Sequence, residues 1–197
     1  MMEYRLNKET LGESLAQWNK FLKARVRLIA CGGTALTLLD IKPSTKDIDF
    51  LVPDDAEYRY LIKTLQDLGY HKSGGYGWRR EGELYSFDLF PGKRIHTTEL
   101  IDSPLEEGRH FLFKKFSRLY IGILNYYDLI ASKLFRGAGV DFEDCLMLLK
   151  ARRGEIDPAR LIEHFKELAS YDVAEDRVLG HLDSFIRRVN KDNDHDG

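Results

Sequence analysis

The sequence has few of the residues that mark several large classes of protein. Only two of its 197 residues are cysteines and five are prolines, which excludes a disulfide-stapled scaffold and a proline-rich chain. Its 30 lysines and arginines are balanced by 32 aspartates and glutamates, so no overall positive field draws the protein to nucleic acid or to an anionic membrane. Cys31 and Cys145 lie in apolar stretches, which favours buried thiols in a reducing compartment.

Long apolar segments are lacking as well. No uninterrupted apolar run approaches the ~18 residues that a membrane span requires, and the N-terminus has no apolar secretory-signal region. We therefore expect a soluble, cytoplasmic protein with no membrane partner. Hydrophobic residues make up 43% and charged residues 31% of the chain, the composition of a globular protein that buries a core.

The spacing of apolar residues predicts an α/β (α+β) fold. We expect a small mixed β-sheet core with flanking helices over 1–124. From residue 125 onward apolar residues recur only at helical spacing, so we expect a helical region over 125–190, packed on the core, and a disordered tail over 191–197. Strands are expected over 26–31, 46–52, 84–90 and 119–124, a hairpin turn at 73–78, and helices over 8–24, 34–39 and 55–68.

Asp47 and Asp49 form the strongest chemical signal in the sequence. They are two residues apart in a predicted strand, so both side chains leave the same face. At about 3.3 Å of rise per residue, their Cα atoms lie about 6–7 Å apart, a span over which two carboxylates can share a pair of divalent ions. Oxygen ligands without histidine or thiolate favour magnesium over structural zinc.

Asp88 is the predicted third acid of this site. It lies in the middle of an apolar strand, where an unpaired charge is unfavourable and calls for a compensating partner. If this strand pairs beside the one that carries Asp49, Asp88 can bind one metal and accept a proton from an attacking hydroxyl. The alternative is a surface acid or a turn cap.

Two glycines supply a candidate phosphate-binding turn. Gly32 and Gly33 end a predicted strand and open a helix, where free backbone N–H groups attract anionic oxygens. Thr34 offers a hydroxyl, and Lys46 and Lys133 offer positive charge to a polyphosphate. Each has a structural alternative, because the glycines also suit a simple turn, the threonine a helix cap, and the lysines a solvated surface.

Together these motifs resemble the polymerase-β-type nucleotidyltransferase superfamily. Its signature is a Gly-Gly or Gly-Ser pair, a short spacer, Asp-x-Asp and a later third Asp. Here Gly32-Gly33 is followed by thirteen residues and then Asp47-Ile48-Asp49. The sequence resembles the branch that contains abortive-infection nucleotidyltransferase toxins and uncharacterised relatives. The resemblance lies in segments 31–36, 44–50, 133–136 and 141–146 of this chain.

The resemblance implies a function and its cofactor. It implies transfer of a nucleoside monophosphate from a nucleoside triphosphate, such as ATP, to a hydroxyl group, with two Mg²⁺ ions held by Asp47, Asp49 and Asp88. It leaves the acceptor open among an RNA end, including transfer RNA, a protein or a small molecule. A toxin–antitoxin role with a partner protein is also implied.

A second hypothesis keeps the fold without the catalysis. Pro43 stands where many members have arginine, and Val140 replaces a lysine, so a non-catalytic module that binds a nucleotide or a partner protein is the alternative. A dinucleotide-binding Rossmann domain is disfavoured because its Gly-x-Gly-x-x-Gly spacing is missing. Convergence of Asp88 with Asp47 and Asp49 is the discriminating observation.

Overall fold

The computed structural model describes residues 5–195, with side chains as far as Lys191. The chain divides into two compact units. The first runs up to Ile95 and also includes Asp102–Asn125, and the second consists of His96–Ile101 and the chain from Tyr126 onward. The sequence placed the boundary at 124/125, and it did not anticipate that the short segment His96–Ile101 groups with the helices.

In the first unit helices and strands alternate as far as Gly74, and only strands follow. Its helices are α1 (Lys8–Phe21), α2 (Gly32–Leu38) and α3 (Asp55–Asp67). In chain order the strands are β1 (Val26–Ala30), β2 (Ile48–Val52), β3 (Tyr70–Gly74), β4 (Gly77–Arg80), β5 (Phe87–Pro91), β6 (Arg94–Ile95), β7 (Thr98–Glu99, in the second unit), β8 (His110–Lys115) and β9 (Leu119–Leu124).

Seven of these strands form one mixed sheet in the order β3-β4-β5-β2-β1-β9-β8. The pairs β2–β5 and β1–β9 are parallel, and the others are antiparallel. The predicted α/β class with a mixed sheet is therefore confirmed. The sequence did not predict β8, because its apolar and basic residues come in runs rather than in alternation and most of its side chains are exposed at the sheet edge.

One face of the sheet is covered by α1. The helix begins where the side chain of Asn7 accepts a hydrogen bond from the backbone N–H of Thr10, a common N-terminal cap. It buries Leu11, Leu15 and Trp18. The ring of Trp18 packs on Phe87 of β5 with 4.1 Å between centroids, so the helix is fixed to the strand that also carries Asp88.

The second unit is helical apart from β7. Its helices are α4 (Tyr126–Arg136), α5 (Gly139–Ala151), α6 (Pro158–Ala169) and α7 (Glu175–His195). Asp157 caps α6 as the Asp-Pro sequence predicted. In the part of the chain that the structure describes, no helix is both long and apolar enough to cross a membrane.

The helix α7 corrects the predicted disordered tail. The sequence placed that tail at 191–197, but α7 continues to His195. The helix is anchored by three buried side chains, those of Val178, Leu182 and Phe185. Once a helix has formed, adding a further residue at its end has only a small free-energy cost, so α7 extends into the polar segment. Residues 196 and 197 lie outside the described residues.

Candidate functional site

Asp49 and Asp88 are brought together by strand pairing. The strands β2 and β5 run parallel, and Asp49 and Asp88 are direct Cα partners in their register. Neighbouring strands lie about 4.8 Å apart, so the two carboxylates share one face of the sheet at close range. Both side chains are half-buried, and buried apolar residues flank them in each strand. The structure thus places Asp88 beside the Asp-x-Asp motif.

Asp47 lies in the bend that leads into β2 and is exposed. Burial, and after it the negative charge of Asp47, raise the pKa of the Asp88 carboxyl above its usual range. A bound cation would relieve this repulsion.

Two threonine hydroxyls hold the backbone of the acidic motif. Thr34 is fully buried; its hydroxyl donates to the carbonyl of Asp47 at 3.2 Å and accepts from the N–H of Asp49 at 2.8 Å. The hydroxyl of Thr45 donates to the same carbonyl at 2.9 Å. Thr34 was predicted as a nucleotide ligand; here its hydroxyl bonds to the motif itself. Sequence reasoning did not give Thr45 a role, although a hydroxyl two residues before the motif suits such a turn.

The glycine pair lies directly against the acids. Gly32 and Gly33 are the first two residues of α2, at the end of β1. Gly32 has a φ of +55°, and a Cβ atom there would overlap the Oδ2 atom of Asp49. A Cβ at Gly33 would lie 2.6 Å from the Oγ1 atom of Thr45. Only glycine therefore permits this close approach, with the first N–H groups of α2 beside the acidic cluster.

A further glycine that sequence reasoning missed adjoins Asp88. Gly77 of β4 is the register partner of Asp88, and a Cβ at Gly77 would lie 3.2 Å from the Oδ1 atom of that carboxylate. The signal was present in the sequence as the last glycine of a glycine-rich hairpin turn. A Cβ at Gly77 would also lie 2.7 Å from the Oγ atom of Ser73, so a larger residue would crowd the carboxylate.

The two predicted lysines differ in their surroundings. Lys46 is exposed beside Asp47. Lys133 belongs to the second unit and is only 4% exposed, with its Nζ atom 2.7 Å from Asp144 and 3.7 Å from Asp141. Burial opposes ionisation of Asp141, but its bond to Arg136 and the charge of Lys133 outweigh this effect and lower its pKa. Lys133 thus already has two carboxylate partners in its own unit.

The acidic residues suit a magnesium ion by chemistry without forming an assembled site. Among the described side chains, which end at Lys191, no three histidine, cysteine, aspartate or glutamate residues are grouped closely enough to hold a metal. Asp47, Asp49 and Asp88 nevertheless offer oxygen donors alone, the set that a hard cation prefers. Unscreened carboxylates repel one another, so we expect an ion to draw them together.

The chain was compared with known proteins. No family model and no curated protein matches it. Solved structures match over nearly its full length: ANT(2'')-Ia in complex with adenylyl-2''-tobramycin (14% identity, 91% of this chain and 97% of that one, TM-score 0.43), an antigenic nucleotidyltransferase-like protein from Paracoccidioides brasiliensis (15%, 90% and 95%, 0.49), and a protein from H. pylori with a provisional nucleotidyltransferase assignment (13%, 98% and 99%, 0.47).

Two of these structures carry nucleotidyltransferase names, and none of the three is named as an abortive-infection toxin. At 13–15% identity and TM-scores below 0.5, these similarities do not identify a family. The function of this chain must be inferred from its own residues.

Proposed function

We propose that the protein is a metal-dependent nucleotidyltransferase that moves a nucleoside monophosphate from a nucleoside triphosphate to a hydroxyl acceptor. The observation that carries the proposal is the register pairing of Asp49 with Asp88. Gly32 lies against Asp49, and the charge of Asp47 acts on Asp88. An acidic pair beside a glycine turn at a helix start combines a cation site with a phosphate site.

The residues divide the proposed chemistry among them. The backbone N–H groups of Gly32 and Gly33 bind triphosphate oxygens, and Lys46 adds positive charge beside them. The oxygen of the acceptor hydroxyl bonds to the α-phosphorus, and the bond from that phosphorus to the leaving pyrophosphate breaks. Asp88, whose pKa is raised, accepts the proton that the hydroxyl loses. Thr34 positions the acidic motif through its two hydrogen bonds.

Asp47, Asp49 and Asp88 are the residues that would hold Mg²⁺, two ions in the proposal. Bound there, the ions supply neutralisation of phosphate charge and polarisation of the phosphorus–oxygen bonds. Lys133 stays a candidate nucleotide contact, although its partners Asp144 and Asp141 compete with phosphate for its charge.

The proposed acceptor is a hydroxyl of an RNA end, a protein or a small molecule. ANT(2'')-Ia is described with an adenylylated tobramycin, which is a small-molecule acceptor. Transfer RNA is the acceptor to test first, because the sequences of the motifs resemble those of toxin-like relatives. A cytoplasmic location and a partner protein of a toxin–antitoxin pair belong to the same proposal.

The test is a label-transfer assay. The protein is incubated with each α-³²P-labelled nucleoside triphosphate, Mg²⁺ and pools of transfer RNA, protein or small-molecule hydroxyl compounds. We expect label on one acceptor class, lost on chelation of the metal and in an Asp49→Asn variant. The matched control is Asp67→Asn, which changes an exposed aspartate at the end of α3 and should leave transfer unchanged.

Transfer that survives Asp49→Asn contradicts the proposal. So does the absence of both transfer and metal-dependent nucleotide binding in the unmodified protein.

A non-catalytic nucleotide-binding module is the second candidate. It is favoured by the observation that no three acidic side chains are assembled for a metal in the described part of the chain. Nucleotide binding that responds to Gly32→Ala but occurs without label transfer to any acceptor supports this candidate over the enzyme.

A further inference from the structure

A cavity lies in the first unit, apart from the acidic residues of the candidate site. It has a volume of about 320 Å³ and is bounded by α1 on one side and by the segment from Leu68 to Tyr85 on the other. Neither the three aspartates of the candidate site nor the glycine pair lines it. A water molecule takes up about 30 Å³, so the cavity has room for a small organic molecule.

Aromatic rings form much of the wall. Trp18 and Phe21 contribute from α1, and Tyr70 and Tyr85 from the opposite side. Phe21 is 47% exposed, which leaves a large apolar side chain at the cavity edge in contact with water. Aromatic walls favour a flat apolar ligand body and also attract cations to their faces.

Glu83 provides an incompletely satisfied carboxylate in this wall. Its Oε1 atom accepts hydrogen bonds from the hydroxyl of Tyr70 at 2.8 Å and from Arg80 at 2.6 Å. Its Oε2 atom is buried and has no hydrogen-bond partner in the described part of the chain, which is an unfavourable state for a carboxylate oxygen. Glu83 lines the cavity and the last torsion of glutamate is broad, so its carboxylate can reorient to accept a hydrogen bond from a ligand there.

The charge of the lining favours a cation. The lining contains two carboxylates, those of Glu13 and Glu83, and one guanidinium, that of Arg80. Arg80 is already paired with Glu83 and stacks over the ring of Tyr70 at 5.0 Å. A triphosphate would meet excess negative charge here, whereas an ammonium group would find an unfilled acceptor.

We propose that this cavity is a binding site for a small organic cation, a primary amine on a flat apolar body. The ammonium group donates to Glu83, and the apolar body packs against the aromatic side chains that line the cavity. The site is separate from the proposed transfer chemistry and does not depend on it.

The test uses phenethylamine as the probe and 2-phenylethanol as its uncharged counterpart, each followed by ligand-observed NMR on the full chain. We expect saturable binding of the amine at least tenfold tighter than that of the alcohol. Glu83→Gln places an amide donor opposite the ammonium, so it should weaken amine binding tenfold or more and leave the alcohol unaffected.

A second pair of variants does not touch the Glu83 bonds. Gln17→Trp adds a bulky ring at an exposed α1 position that lines the cavity, and it should abolish binding of the amine. Lys20→Trp makes the same change at an exposed α1 position outside the lining and should leave binding intact. The proposal is overturned if the amine does not bind the unmodified protein, binds no better than the alcohol, or binds Gln17→Trp normally.

Discussion

Replacing Gly32 by alanine tests the close approach of the α2 turn to the acidic motif. Gly32 has a left-handed φ of +55°, which costs an L-residue about 1–2 kcal/mol. The added Cβ atom would also overlap the Oδ2 atom of Asp49, so either the turn or the carboxylate must move. We therefore expect a loss in the free energy of unfolding of at least about 1–2 kcal/mol.

The effect is measurable by thermal unfolding and by metal-dependent nucleotide binding. For a chain of this size about 1 kcal/mol corresponds to about 2–4 °C, so the midpoint should fall by about 2–8 °C. Displacement of Asp49 should weaken nucleotide binding in the presence of Mg²⁺ as well. The matched control is Gly12→Ala within α1, where a Cβ meets no atom within 4 Å. This substitution should stabilise the helix by about 0.5–1 kcal/mol.

Substitution by alanine is thus expected to lower the free energy of unfolding at Gly32 and to raise it at Gly12. A Gly32→Ala protein as stable as the unmodified chain, with unchanged nucleotide binding, would refute the reasoning that this glycine is required against Asp49. A loss in Gly12→Ala equal to that in Gly32→Ala would show that the difference in local geometry has no energetic effect.

The remaining predictions concern three side chains. Thr34→Val removes both hydrogen bonds to the acidic motif and should lower the free energy of unfolding by about 1–3 kcal/mol, whereas Thr34→Ser should retain most of it in denaturant titrations. The pKa of Asp88 is raised by burial and by Asp47, so the ionised carboxylate destabilises the fold above that pKa. Without metal, the Asp88→Asn variant should therefore be more stable than the unmodified protein at pH 7–8, and this difference in stability should disappear as the pH falls to the ordinary carboxyl range. A difference that stays the same across this range contradicts the assignment. Lys133→Met removes the ammonium group that pairs with the buried carboxylate of Asp144. It should lower the free energy of unfolding by about 3–5 kcal/mol, much of it recovered when Asp144→Leu is added in a double-mutant cycle.

Local patterning predicted most of the sheet core. Both strands that carry the acidic residues have apolar neighbours on either side, and turn residues bound them, so their existence could be inferred from residue order alone. The helix expected over 55–68 followed in the same way, and the structure has α3 over Asp55–Asp67. These features depend on short-range preferences that one segment contains within itself.

Other features depended on contacts between distant segments. The pairing of Asp49 with Asp88 required a register that no local signal specifies, and it was only a conditional prediction. The bonds of Thr34 to the acidic motif arise because α2 packs against β2, so its hydroxyl could not be distinguished from a ligand in advance. The buried partners of Lys133 come from α5, whereas the sequence offered this lysine only as a phosphate contact or a solvated surface charge.

The parallel pairing of β2 with β5 makes the acidic pair a product of the finished sheet. Asp49 and Asp88 are far apart in the chain, and a helix and a hairpin lie between their strands. Closing that loop has an entropic cost that is recovered only when the non-local ladder forms. A nascent or partly folded chain therefore carries isolated aspartates with little affinity for a divalent ion, and cation binding at this pair would report that folding is complete.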